Sequence, residues 1–304
     1  MKDLSIIYQA YVLVEAICRK ISIAFLGIGF FGNMLIIIYF VKVNKNKLLK
    51  MSAYHFLIVQ LAIVDAFICV VFPISISLTD HFTYGRLSTL HFCLKIVFSS
   101  SMVVSAWILM FISFLRYRSI AHPLTPLWSK RKFFLGTIFV FLLPLAIGIF
   151  EIIQKYITNE EGLVNLRYAL TFKCVEYLIP STLIGVFYFQ SRRALKRQNV
   201  LDSTENQQQI RRRNKTALKT LKYLMIVYFW TVVLTRSLEI TSMVLSLVLK
   251  GDPELFLTLS IAFTILFYVF SVQNNILNVV VYAIVMKDFR HFLKEIFQQC
   301  FICK

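Results

Sequence analysis

Asn274, Asn275, Asn278 and Tyr282 lie inside a run of 32 residues, Leu255–Met286, that contains no charge. Amide side chains at that depth in an apolar segment need partners on other elements or in water, because hydrocarbon offers none. Asp65 is the only carboxylate in another apolar run, about 53–78. An aspartate at mid-membrane depth costs about 3 kcal/mol to insert, so it too demands partners. Arg116 follows a third, uncharged run at an end where its guanidinium reaches water. Arg236 and Glu239 are three apart on one helix face, and they either pair with each other or meet a ligand. No paired carboxylates, nucleophile elbow or phosphate loop accompanies these groups. The expected chemistry is recognition and switching, not catalysis, and an enzyme is not expected.

The elements that must position these residues are apolar helices. Of 304 residues 58% are hydrophobic and only 16% charged, against about 25% charged in soluble domains. Seven runs are long enough to span a bilayer, which takes about 20 residues. They are 21–41, 53–78, 96–115, 133–150, 174–191, 217–249 and 255–286. Outside them, 21 lysines and arginines fall on one face and 9 on the other. Basic loops stay in the cytoplasm, so the N-terminus is expected outside and the C-terminus inside. The net charge of +18 is then a membrane-face feature, and nucleic acid is not an expected partner. The first 20 residues carry Glu15, Arg19 and Lys20 where a signal peptide would be apolar. The expected organisation is a short extracellular segment 1–20, an all-α seven-helix membrane domain 21–286, and a tail 287–304. In that tail Phe289, Phe292, Leu293, Ile296 and Phe297 repeat at helical spacing opposite Lys287, Arg290, His291 and Lys294, the pattern of a helix lying on inner-leaflet lipid. Cys300 and Cys303 follow as candidate palmitoylation sites. The six cysteines have no metal-ligand spacing.

Several signatures fall in order on these spans. They are Gly32-Asn33, then Leu61-Ala62-Ile63-Val64-Asp65, then Leu115-Arg116-Tyr117 with Pro123-Leu124, then Pro180 with Tyr188, and Asn278 with Tyr282. Together they make the chain similar to the rhodopsin-like G-protein-coupled receptors from about Phe25 to Phe297. The resemblance implies structural roles for Asn33 and Pro180. It implies an activation and G-protein-coupling set of Arg116, Tyr117, Tyr188, Asn278 and Tyr282. It also implies that Ser105, Asn274, Asn275 and Asn278 surround Asp65; such an oxygen-lined site suits a hard cation, and in the family it binds sodium. The alternative is a hydrogen-bonded core that only fixes packing. Beyond a possible sodium ion no cofactor is expected. The implied partners are a heterotrimeric G protein, membrane lipid and an extracellular small molecule or short peptide at the plasma membrane.

Departures from the family pattern are equally informative. Leu115 replaces the acid before Arg116, and Asn214 stands where an opposing Glu is frequent. Arg116 therefore lacks both carboxylate restraints, so basal signalling is expected to be raised unless other groups hold it. Val232 and Leu234 replace the Trp and Pro of the sixth span, which puts its kink in doubt, and Val279 replaces the Pro after Asn278. Phe98 occupies the position of the amine-binding aspartate, so an amine ligand is not expected; Lys95, Phe98, Arg236 and Glu239 are the candidate ligand contacts. Cys93 lies two residues closer to Arg116 than the family's outer cysteine but is expected to pair with Cys174. Rival readings are a bitter-taste-like or vomeronasal-like chemoreceptor of the same fold, and a multi-pass transporter using Asp65, Arg236 and Glu239. Against the latter, no internal repeat is visible.

Overall fold

A computed structural model describes residues 2–43, 52–81, 87–122, 129–158, 171–198, 205–248 and 253–302. The described residues form an all-α bundle. Helix α1 is Lys2–Val43, α2 Ala53–His81, α3 Leu87–Ala121 and α4 Lys130–Thr158. Helix α5 opens with a π-turn at Cys174–Leu178 and continues as Ile179–Gln198. Helix α6 comprises Glu205–Tyr228, a second π-turn at Phe229–Val233, and Leu234–Val248. Helix α7 is Pro253–Val285, and α8, Lys287–Ile302, is the expected amphipathic helix.

Every expected span is helical, and several helices run past the apolar limits. The segment expected as a short extracellular stretch, 2–20, continues α1 without a break, with Arg19 and Glu15 paired at 2.7 Å. Six helices among the described residues are long and apolar enough to cross a membrane. In α7 the described apolar stretch is Asn275–Val285. A ring of large apolar side chains faces outward, Phe31, Phe67, Phe139 and Phe189 among them, as hydrocarbon rather than water requires.

Inside, Phe40, Leu57, Ile58, Ile108, Ile112, Leu224 and Phe289 form a continuous core. Helix α1 packs on both α2 and α7, and Gly32 makes the approach possible. A Cβ there would lie 2.9 Å from Val279 Cγ2 on α7, so any larger residue would push the helices apart.

Both π-turns have physical causes. A proline clashes with the carbonyl four residues earlier; Pro180 would meet that of Glu176, and α5 widens through this turn. In α6 the wide turn ends at Val233, immediately before Leu234, where the family's proline would stand. The irregularity left in doubt for this helix is supplied by a π-turn, one of the few ways to interrupt an α-helix without proline. Thr231 Oγ1 donates to the Val227 carbonyl at 2.8 Å, and Thr235 Oγ1 to that of Thr231.

Candidate functional site

The site is built along the contact between α2 and α3. Asp65 is fully buried. Ser105 Oγ on α3 donates to its Oδ1 at 2.9 Å, and Asn278 Nδ2 on α7 donates to its Oδ2 at 2.7 Å. Three helices are tied through one carboxylate, and no basic side chain pairs with it among the described residues. Asn33 Nδ2 donates to the Gly29 and Asn275 carbonyls, at 2.9 Å each, fastening α1 to α7 one turn from Asn278. Asn275 enters these bonds through its main chain. Its own side-chain oxygen is buried with no hydrogen-bond partner among the described residues. The side chain of Asn274 lies outside those described.

Three turns along the seam from Asp65, the Arg116 guanidinium carbon sits 3.2 Å from the centre of the Tyr54 ring on α2. Its Nε–H is buried and donates to no partner among the described residues. Leu115, in the position of the missing acid, is only 3% exposed and belongs to the core. An acid here would be a buried charge, so the departure has a packing reason. Tyr117 stacks on Phe187 of α5 with ring centres 5.9 Å apart, and Tyr188 is buried on the same helix. The Tyr282 hydroxyl is buried without a hydrogen-bond partner among the described residues. On α8, Phe289 and Phe292 turn inward onto Tyr39, at 5.2 and 5.3 Å, while Lys287, Arg290, His291 and Lys294 are exposed. This is the two-sided helix read from the spacing.

On α5, Pro180 is buried just after the π-turn. The candidate ligand contact Phe98 packs on Phe72 of α2, ring centres 4.7 Å apart. Arg236 lies over the Tyr177 ring at 4.4 Å. The side chains of Lys95, Glu239, Cys174 and Cys300 lie outside those described, as does Cys303 altogether. Cys93 is an exposed free thiol, and the side chain of its expected partner Cys174 is not among those described.

Sequence reasoning missed Tyr54, the Ser181–Tyr228 contact at 3.3 Å between α5 and α6, and the buried Lys173–Glu176 pair at 3.2 Å. A signal for the first existed. Tyr54 precedes Asp65 by eleven residues, three helical turns, and so shares its face. Trp230, next to the usual switch position, is more than half exposed on the outer surface, while Val232 takes the buried one.

Comparison with known proteins agrees with this geometry. The chain matches the 7 transmembrane receptor (rhodopsin family) over residues 32–282. It is similar to G-protein coupled estrogen receptor 1 of Micropogonias undulatus, 26% identical over 234 residues, covering 73% of this chain and 62% of that protein. It is also similar to neuropeptide Y receptor type 6 of Mus musculus, 29% identical over 137 residues, covering 43% of this chain and 35% of that protein. The chain therefore spans less than two thirds of the length of either relative. A match across most of the helical bundle, with Asp65, Arg116 and Asn278 on the helices that the family's motifs require, makes this chain a multi-pass membrane protein of the rhodopsin family of seven-transmembrane receptors.

Proposed function

We propose that this chain is a plasma-membrane receptor that passes the binding of an extracellular ligand to a heterotrimeric G protein, with its N-terminus outside and its C-terminus in the cytoplasm. The observation that carries the reading is the polar tie from Asp65 to Ser105 and Asn278, three turns above the free cytoplasmic end that bears Arg116. A ligand entering the outer bundle biases the packing of α5 against α6 around their two π-turns. That shift rearranges the Asp65–Asn278 bond and opens a cleft at Arg116, Tyr188 and Tyr282, as a change of population between two packings. With Phe98 half-buried against Phe72, no carboxylate on that face of α3 selects an amine. The relatives' names point to unlike ligands, an estrogen and a neuropeptide, so the reading keeps to a small molecule or short peptide.

The Asp65 site fits a sodium ion. Its buried carboxylate takes bonds only from neutral donors, and Asn275 offers a buried oxygen without a partner one turn from Asn278. A hard cation seeks such oxygens. Asp65 and Ser105 would hold the ion, with Asn274, Asn275 and Asn278 as further oxygen donors. Its positive charge would offset the cost of a lone buried carboxylate.

The test is ligand-free G-protein activation in cells, with Arg116→Ala and empty vector alongside at matched surface expression. A signal above vector that vanishes in the variant is expected. A signal that survives Arg116→Ala would overturn the coupling role of that residue.

A further inference from the structure

We propose that Tyr54 is the positioning residue that replaces the missing carboxylates: its ring holds the Arg116 guanidinium against α2 and withholds it from a cytoplasmic partner until activation. The inference rests on the receptor reading and adds a restraint to it.

Three contacts between the antiparallel helices α2 and α3 share one register. Phe72 meets Phe98, Asp65 meets Ser105, and Tyr54 meets Arg116. Each step is seven or eleven residues on both helices, close to two or three full turns, so all three pairs lie along one seam. The buried residues Leu61 with Leu109, and Ile58 with Ile112, continue the same register between the second and third pairs. The Tyr54 stack is therefore set by the helix packing that also makes the Asp65–Ser105 bond, and is not a chance surface contact.

The chemistry suits a restraint. A guanidinium is planar and weakly hydrated, and it stacks on an aromatic face where an ammonium would stay in water. At 3.2 Å from the ring centre one face of Arg116 is covered, and its buried Nε shows the side chain folded inward. A partner that needs these donors must first lift the guanidinium off the ring. No carboxylate pairs with Arg116 among the described residues, and the adjacent Leu115 is core. The ring is thus the contact that can hold it. The Tyr282 hydroxyl, buried and without a hydrogen-bond partner among the described residues, lies within electrostatic reach of both Arg116 and Tyr54.

The experiment compares wild type, Tyr54→Leu, Tyr54→Phe and the Tyr54→Leu/Arg116→Ala double variant for ligand-free G-protein activation at matched surface expression. Tyr54→Leu is expected to raise the signal about five-fold, the change that ~1 kcal/mol of lost cation–π attraction produces. Tyr54→Phe keeps the ring face and is expected to match wild type, and adding Arg116→Ala is expected to abolish the gain. A Leu variant at or below wild type, or a Phe variant behaving like the Leu variant, overturns the proposal. A thermal-unfolding cycle on the purified chain with Tyr54→Leu and Arg116→Gln is independent of any G protein. Losses that fail to add establish the direct contact, and additive losses overturn it. If the cycle shows the contact while every chain, wild type included, is silent across G-protein classes, the restraint on signalling falls together with the receptor reading.

Discussion

The middle and the Arg116 end of the α2–α3 seam solve the same problem in different ways. In the middle, a buried carboxylate is held by two directional hydrogen bonds from Ser105 and Asn278. At the end, a guanidinium is held by the face of one ring, with no carboxylate opposite it among the described residues. The first arrangement ties three helices and loses much of its energy when any bond is displaced. The second ties two helices, tolerates sliding, and is worth about 1 kcal/mol where exposed and about 2 kcal/mol when desolvated. The proposed signalling uses both: a middle whose rearrangement is costly enough to define two states, and an end loose enough to release its arginine.

Variants can break or sharpen that contrast. The largest effect is expected from Asn278→Leu, which leaves the buried Asp65 with a single donor. A loss of about 3 kcal/mol in the stability of the purified chain is expected, read as a lower melting temperature and reduced surface expression. Gly32→Val drives a methyl into Val279 and should cost about 2 kcal/mol through overpacking, visible in the same assays; a neutral outcome would show that α1 can shift without cost. Ser105→Ala removes one of the two bonds to Asp65 and should cost about 1 kcal/mol, in keeping with interhelical hydrogen bonds in membranes. Asp65→Asn nearly preserves shape but removes the charge. If sodium binds there, titrating sodium should shift agonist affinity in wild type and not in this variant; equal shifts in both would remove the cation from the site. The smallest effect is expected from His291→Ala on the exposed face of α8, where the His291–Glu295 pair at 3.0 Å should contribute under about 0.5 kcal/mol and leave melting unchanged.

Much of the middle was legible residue by residue. Asp65 and Asn278 are conspicuous because polar groups in apolar runs are expensive, so they declare themselves by type and depth. Ser105 followed once the resemblance set the register of α3. The end was not legible in the same way. A tyrosine near the inner end of a span is ordinary, and nothing in Tyr54 alone announces a partner 62 residues further along the chain. The α6 π-turn was also hidden, since Phe229–Val233 contains no proline or glycine to mark it.

The amino-acid sequence by itself determined that this chain crosses a membrane repeatedly as helices, which loops are basic, and which few polar groups must meet inside. Those features follow from the cost of exposing charges and backbone to hydrocarbon, and each residue incurs that cost locally. Only the tertiary structure decided which groups meet: that Asp65 bonds Ser105 and Asn278, that Asn33 ties to the α7 backbone, and that Arg116 rests on Tyr54. These contacts depend on the register of one helix against another. Register is fixed by the summed packing of many side chains, including a glycine that admits a neighbouring valine, and no single residue carries it.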